Sequence, residues 1–334
     1  MKVTIDDIAK KANVSKMTVS RVLSGKGPVA KKTSARIKQI IDELDYQPNL
    51  IARSLSSKKS MILGVIIPKI EHMFLDNYIA QILSGVTDIA IQNNYRIMLC
   101  PVEIKEDRNT DYLNLARSKL FDGMILLKTK DNDPNIPVLA DAGFPFVLVN
   151  YKRYSKNINF VDSQNYKGAK IAVEYLHESG HRDIAFVAGT MDETNAKDRL
   201  KGYQDAMTDL GLSYDDDRIV YGDFNKKTAY QEAVKFFKRR KKPTAVFCSD
   251  DYMAIGVMER IKEEGLSIPD DVAVVGFDDI ELAAYVKPAL TTIRQPIYKL
   301  GKTAAEVLLK LINGDQKKAI HKLLNVELVK RASA

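Results

Sequence analysis

The stretch VSKMTVSRVLSGKG, Val14 to Gly27, concentrates side chains whose chemistry suits a polyanion. Lys16, Met17, Ser20 and Arg21 recur at i, i+1, i+4 and i+5 and share one side of a helix, with Thr18 beside them. Val19, Val22 and Leu23 fall on the opposite side, which packs inward. Hydroxyls and lysine offer contacts to phosphate oxygens, and the arginine fork fits base edges.

Catalytic chemistry finds little support. The strings GxxxxGK[ST], HExxH and GxSxG do not occur. Gly25-x-Gly27-x-x-Ala30 fits a dinucleotide fingerprint as a string, but a helix precedes it where a strand is required. His72, His177, His181 and His321 are scattered, and the adjacent carboxylates of Asp278 and Asp279 point apart on an extended chain. Cys100 and Cys248 are isolated in apolar runs, so they read as buried core thiols with neither a disulfide framework nor a metal spacing. No catalytic residue, metal site or cofactor is expected.

The basic helix needs neighbours to hold it. Thr4-Ile5-Asp6-Asp7 carries a capping signature, and Ile5, Ile8, Ala9 and Ala12 give the following helix an apolar face. Asn13-Val14 breaks that pattern, and Ser15 can cap the second helix. A third is expected from Thr33, with Ile37, Ile40, Ile41 and Leu44 covering the first two. Three short helices, the second basic and exposed, make a helix-turn-helix domain.

The charge distribution agrees with this division. Of 51 Lys+Arg and 43 Asp+Glu in 334 residues, residues 1–60 hold thirteen and five, leaving 38 of each sign for residues 61–334. A basic head on a neutral body is the electrostatic footprint of nucleic-acid binding. The polar amino terminus and the lack of an apolar run of eighteen residues predict a soluble, cytoplasmic protein with no membrane partner.

From Met61 onward the texture changes. MILGVIIP, YRIMLCPV, DGMILLK and FPFVLVN read as strands buried on both faces, separated by segments of helical length and period. After the polar stretch from Tyr151 to Asn159 the alternation resumes with RDIAFVAG, TAVFCSDD and DVAVVGFDD, and helices start near Gln164, Asn195, Lys227 and Asp251. The fold class expected is therefore a small all-α head plus an α/β body of two doubly wound parallel-sheet subdomains. Ligand is expected at strand carboxyl ends, between the halves.

VTIDDIAKKANVSKMTVSRVLSG followed by YQPNLIARSLSSKKS closely resembles the head and hinge of the lactose-repressor (LacI/GalR) family of bacterial regulators. ESGHRDIAFVAG, DRLKGYQDAM, SDDYMAIGVM and VVGFDDIELAAYVKPALTTIRQP resemble family segments in the body, which is periplasmic-binding-protein-like, so the resemblance spans nearly the whole chain. It implies a DNA-binding domain at 1–48, a hinge helix and linker at 49–60, and an effector-binding and dimerisation domain at 61–334 built from two discontinuous subdomains. It places the helix from Lys16 to Leu23 in the major groove, with Lys16 and Met17 at positions that vary with operator sequence. Thr4, Thr18, Ser20 and Arg21 then belong to the docking set. Asn49, Ala52, Arg53 and Leu55 fall in the hinge, where the leucine is the wedge pushed into the minor groove.

The resemblance also transfers an effector site, namely Phe74, Asn150, Arg199, Phe224, Asp250 and Asp278. Carboxylates that accept from adjacent hydroxyls, a planar arginine fork and aromatic walls suit a sugar. Asp250 stands where many relatives have Asn, which disfavours a phosphorylated ligand. Glu193, in MDETNAK, lies near the place where purine-responsive members carry another arginine. The presence of Arg199 argues against control by a phosphocarrier protein corepressor. Purine and phosphocarrier control remain the alternatives, and a plain solute-binding protein is the alternative of a different class.

The function implied is that of a sequence-specific regulator, foremost a repressor of carbohydrate-utilisation genes. It would bind a double-stranded, inverted-repeat operator as a homodimer under control of a small, sugar-like effector. The chain ends LLNVELVKRASA with no leucine heptad, so a terminal tetramerisation coil is not expected.

Overall fold

The computed structural model describes residues 3–24, 27–46, 59–68, 77–102, 112–213, 215–316 and 318–334. The chain divides into two compact units, Met1–Ser60 and Met61–Ala334.

The first unit contains α1 (Ile5–Lys11), α2 (Lys16–Ser24) and α3 (Lys31–Glu43). Thr4 and Asp7 form a reciprocal capping box, in which the Asp7 amide donates to Thr4 Oγ1 at 3.4 Å and the Thr4 amide to Asp7 Oδ2 at 2.9 Å. Ser15 starts α2 by accepting from the Thr18 amide at 3.2 Å. Asn13, at φ 51°, reverses the chain between them, a conformation asparagine tolerates better than most residues. Ile8, Ala9, Ala12, Val19, Ile37 and Ile40 form the core. The third helix begins two residues before the expected Thr33. There the Ser34 amide already closes on the Ala30 carbonyl at 2.9 Å without a side-chain cap, so no start signal is visible in the sequence.

The second unit opens with β1 (Ile62–Pro68), α4 (Asn77–Gln92), β2 (Arg96–Val102), α5 (Tyr112–Arg117), β3 (Gly123–Leu127), α6 (Asn135–Asp141), β4 (Phe146–Val149) and β5 (Phe160–Ser163). It continues with α7 (Asn165–Glu178), β6 (Ile184–Ala188), α8 (Thr194–Asp209), β7 (Ile219–Tyr221), α9 (Lys226–Glu232), α10 (Val234–Phe237), β8 (Ala245–Cys248), α11 (Asp251–Glu263) and β9 (Ala273–Asp278). The last elements are β10 (Thr291–Arg294), α12 (Ile297–Ile312), β11 (His321–Leu324) and β12 (Glu327–Val329).

Two six-stranded sheets result, ordered β11-β5-β4-β3-β1-β2 and β12-β10-β9-β8-β6-β7. Every described pairing is parallel except β10 with β12. Alternation along β1 shows how both faces are covered. Leu63, Val65 and Ile67 join a core with α4 and α12, whereas Ile66 joins one with α5 and α6. The second sheet is covered by α9 to α11 on one face and by α7 and α8 on the other.

Helices α4 and α12 meet almost backbone to backbone. A Cβ on Gly85 would lie 2.1 Å from the Tyr298 carbonyl oxygen, and one on Gly301 2.1 Å from that of Ile82. Only glycine permits that approach.

The chain passes between the two sheets three times, at residue 164, at 295–296 and at 325–326, so each subdomain is discontinuous. The doubly wound fold expected of the body is present. Two expectations are corrected. Strand β2 lies at a sheet edge and is not buried on both faces, so Cys100 is only half-buried, whereas Cys248 on the interior strand β8 is buried. Strands β5, β7 and β10 to β12 were not anticipated.

Candidate functional site

On α2 the side chains of Lys16, Met17 and Arg21 are exposed, Thr18 and Ser20 are half-buried, and Val19 is fully buried. Lys16 reaches Asp6 at 2.5 Å, an exposed pair that a phosphate can displace at little cost. Arg21 Nη2 lies 3.6 Å from Met17 Sδ, and 64% of Met17 faces solvent. The Thr4 hydroxyl is engaged with Asp7 at 2.7 Å. Asn49, Ala52, Arg53, Leu55 and Phe74 lie outside the described residues.

In the body, Asn150, Arg199, Phe224, Asp250 and Asp278 line one cleft of about 500 Å³, a volume that includes solvent outside its rim. Its position follows from the sheets. Asn150 follows β4, Asp250 lies just beyond β8 and Asp278 ends β9, all at strand carboxyl ends, where open α/β sheets leave their crevices.

Arg199, on α8, is the centre of the arrangement and only 2% exposed. Its Nε donates to Asn165 Oδ1 at 2.9 Å, its Nη1 donates to the Ser249 carbonyl, and Nη1 lies 3.6 Å from Asp278 Oδ1. Its guanidinium carbon sits 3.8 Å from the Phe277 ring centre and 5.9 Å from that of Phe224. A buried charge is tolerated because a carboxylate, two acceptors and two π-faces surround it.

The remaining groups are equally fixed. Asp250 Oδ1 accepts from the Met253 amide at 2.7 Å and caps α11, where the helix field favours a carboxylate. Gln295 donates to Asp278 Oδ1 at 2.5 Å. Asn150 donates to the Tyr78 hydroxyl. Phe224 rests directly on Gly189, where a Cβ would come within 2.2 Å of the ring.

Four cleft residues were not anticipated as ligand contacts, namely Tyr78, Lys128, Asn195 and Tyr252. Lys128 follows β3 at once, and the strand-end rule alone would have found it. Glu193 also lines the cleft, with its carboxyl raised by burial, and burial raises the Tyr78 hydroxyl well above its ordinary value. Asp279 takes no part, since Arg294 and Arg331 hold it at 2.6 Å each. Its neighbour in kind, Asp251, is buried beneath the site, accepting from Thr292 at 2.5 Å and the Ile280 amide at 2.8 Å, and burial raises its carboxyl well above the usual range.

At the first passage between sheets, Asp162 is fully buried. Its Oδ1 accepts from the Ser163 amide at 2.7 Å and from Asn165 Nδ2 at 2.9 Å. Its Oδ2 has no hydrogen-bond partner among the described residues. Burial raises this carboxyl to about 7, and Asp198 adds to the rise while Arg199 and Lys152 oppose it. Among the described residues, Thr129 Oγ1, Asn150 Oδ1, Ser163 Oγ, Ser249 Oγ and Gln295 Oε1 are also buried without a hydrogen-bond partner; Ser163 ends β5, and the others lie one or two residues beyond strand carboxyl ends. Of these residues Asn150 lines the cleft, and its unsatisfied oxygen is one for which ligand or water supplies the missing bond.

Residues 4–49 match "Bacterial regulatory proteins, lacI family", and residues 173–334 match "Periplasmic binding protein-like domain". The chain is 36% identical to Catabolite control protein A of Priestia megaterium, over 94% of this chain and 93% of that protein. It is 34% identical to the HTH-type transcriptional repressor PurR of Vibrio campbellii, over 92% of each. A lac repressor dimer bound to operator and the anti-inducer ONPF superposes with a TM-score of 0.88 at 31% identity, covering all of this chain and 99% of that one.

Proposed function

Because the chain belongs to the lacI family of bacterial regulatory proteins and is a DNA-binding transcriptional regulator rather than an enzyme, we propose that it is a sugar-responsive repressor of carbohydrate-utilisation genes. The observation that carries the sugar reading is the buried Arg199, set between Asn165, Asp278 and the rings of Phe224 and Phe277, with Asp250 in the same cleft. Adjacent hydroxyls of a polyol satisfy carboxylate and arginine together, and an aromatic face covers the apolar side of its ring. The carboxyls of Glu193, Asp250 and Asp278 disfavour a phosphorylated effector, and no second arginine lines the cleft among its described residues, which disfavours a purine.

Two protomers present α2 to the half-sites of an inverted repeat in the cytoplasm, with Lys16 and Met17 reading sequence and Thr4, Thr18, Ser20 and Arg21 docking. Asn49, Ala52, Arg53 and Leu55 form the segment that enters the minor groove. Effector in the cleft shifts the two subdomains and so changes the free energy of that docking. A coupling of about 1–3 kcal/mol changes operator affinity roughly five- to 150-fold. A thermal-shift screen of the full-length protein against a panel of mono- and disaccharides and a panel of purines tests the reading. Stabilisation by a sugar, lost in Arg199→Ala, supports it, and stabilisation by purines alone overturns it.

A further inference from the structure

The second sheet has two ends, and only the carboxyl end belongs to the effector cleft. At the amino end, neighbouring strands β7, β6 and β8 are entered by three loops that carry Arg218, Arg182 and the run Arg239-Arg240-Lys241. These loops converge on an open recess of about 960 Å³, a volume that includes solvent outside its rim.

The floor of the recess is built. Arg218 Nε and Nη2 grip both oxygens of Asp183 at 2.7 and 2.8 Å, and these side chains are only 12% and 14% exposed. The same Nη2 donates to the Lys241 carbonyl at 3.1 Å, which ties the basic loop to the floor. Lys241 Nζ reaches Asp183 at 3.3 Å although its side chain is 82% exposed. Arg239 pairs with Asp217, and Arg182 donates to the His177 and His181 carbonyls at 2.8 and 3.0 Å.

Five cations thus face the recess against two carboxylates of its lining, Asp183 and Asp215, with Asp217 beside it. Lys238 and Lys242 extend the run on either side. Residues 61–334 as a whole carry equal numbers of each sign, so the basic excess of the recess is balanced by acidic residues elsewhere in the body. Bringing five like charges together raises the energy of the folded chain, and a polyanion relieves it. A single carboxylate adds little, because Asp183 already occupies the best fork. A ligand with several phosphates can engage Arg182, Arg240 and Lys241 together and displace Asp217 from Arg239. Arginine forks match phosphate oxygens two at a time. The concave shape favours a compact ligand over an extended strand.

We propose that this recess, at the amino end of the second sheet, is a site for a compact polyphosphate-bearing small molecule, separate from the effector cleft.

Inorganic tripolyphosphate is the direct probe, with ATP as a second arm. Each is titrated calorimetrically into the full-length protein, and bound regions are read by hydrogen exchange. The basic head also attracts polyanions, so two charge variants are compared. Binding should slow exchange at 215–218 and 238–242, and the pair R239Q and R240Q should weaken it by about tenfold or more, as expected for two lost charge-assisted contacts. The pair K31Q and K32Q in the head should change it less than about twofold. Equal affinity for the two ligands assigns recognition to the phosphate chain alone, and tighter ATP binding assigns a nucleotide. Absence of binding, protection confined to residues 3–46, or loss that follows only the head variant overturns the site. None of these outcomes depends on the sugar assignment of the cleft.

Discussion

Arg199 donates from Nε to Asn165 Oδ1 at 2.9 Å, and the amide nitrogen of the same Asn165 donates to Asp162 at 2.9 Å. The Asp162 carboxylate therefore decides which end of the Asn165 amide faces the arginine. This short relay connects the passage between the sheets to the centre of the cleft. Asn165→Leu keeps the volume but removes the acceptor, and should weaken effector binding by about tenfold or more, the worth of a hydrogen bond to a charged group. Calorimetry with whichever sugar scores in the thermal-shift screen reads the loss, and unchanged affinity rejects the relay.

Arg199→Ala should abolish the effector response while operator affinity without effector stays within about twofold, because the substitution removes an effector contact and leaves the residues of the head unchanged. Gel-shift titrations with and without sugar check both halves. An intact response moves the effector contact elsewhere.

The buried Asp162 links stability to pH. Its carboxyl is raised from 3.8 to about 7, so the folded state binds this proton more tightly than the unfolded state does. The stabilisation is complete below the unfolded value and is lost as pH rises through the folded one, over about pH 4 to 7. Asp162→Asn should flatten that slope and leave the variant more stable than the parent at pH 8, by on the order of 2–4 kcal/mol. Urea melts at a series of pH values test the sign, and parallel slopes in the two proteins refute it.

Gly85→Ala forces a methyl into the Tyr298 carbonyl at the contact of α4 and α12. Overpacking of this kind costs about 1–3 kcal/mol. The melting temperature should fall while the specificity of operator binding is kept.

On the DNA side, Arg21→Ala should cost about 1–3 kcal/mol of discrimination between operator and random duplex. Leu55→Ala should weaken specific binding more than non-specific binding, as expected of a minor-groove wedge. The logarithm of affinity should fall with the logarithm of salt by about 0.9 per phosphate contact. Fluorescence anisotropy over a salt series gives all three, and a flat salt dependence removes the nucleic-acid assignment of the head.

Legibility in the sequence followed how local each signal was. The capping box at Thr4 and Asp7, the apolar face of α1 and the long apolar runs of β1, β3, β4, β6, β8 and β9 are written in adjacent residues, and they emerge as expected. Strands β7 and β12 have three residues each, and β5, β10 and β11 have four. Their partners make them strands, as Thr292 opposite Gly276 and Val329 illustrates, so no period could announce them. The edge position that half-exposes Cys100 is likewise a property of sheet order. In the cleft, family resemblance pointed to Arg199, Asp250 and Asp278, but neither pattern nor resemblance singled out Tyr78 and Tyr252. Their place in the cleft depends on how α4 and α11 pack against their sheets.

The three passages between the sheets lie side by side, since β5 pairs with β11 and β10 with β12. Three parallel straps of one or two residues resist sliding and twisting far more than they resist swinging. They are also redundant: a nick in any one leaves two that still carry the load. The body can therefore lose one connection, or take an insertion there, and keep its two subdomains joined along the same edge.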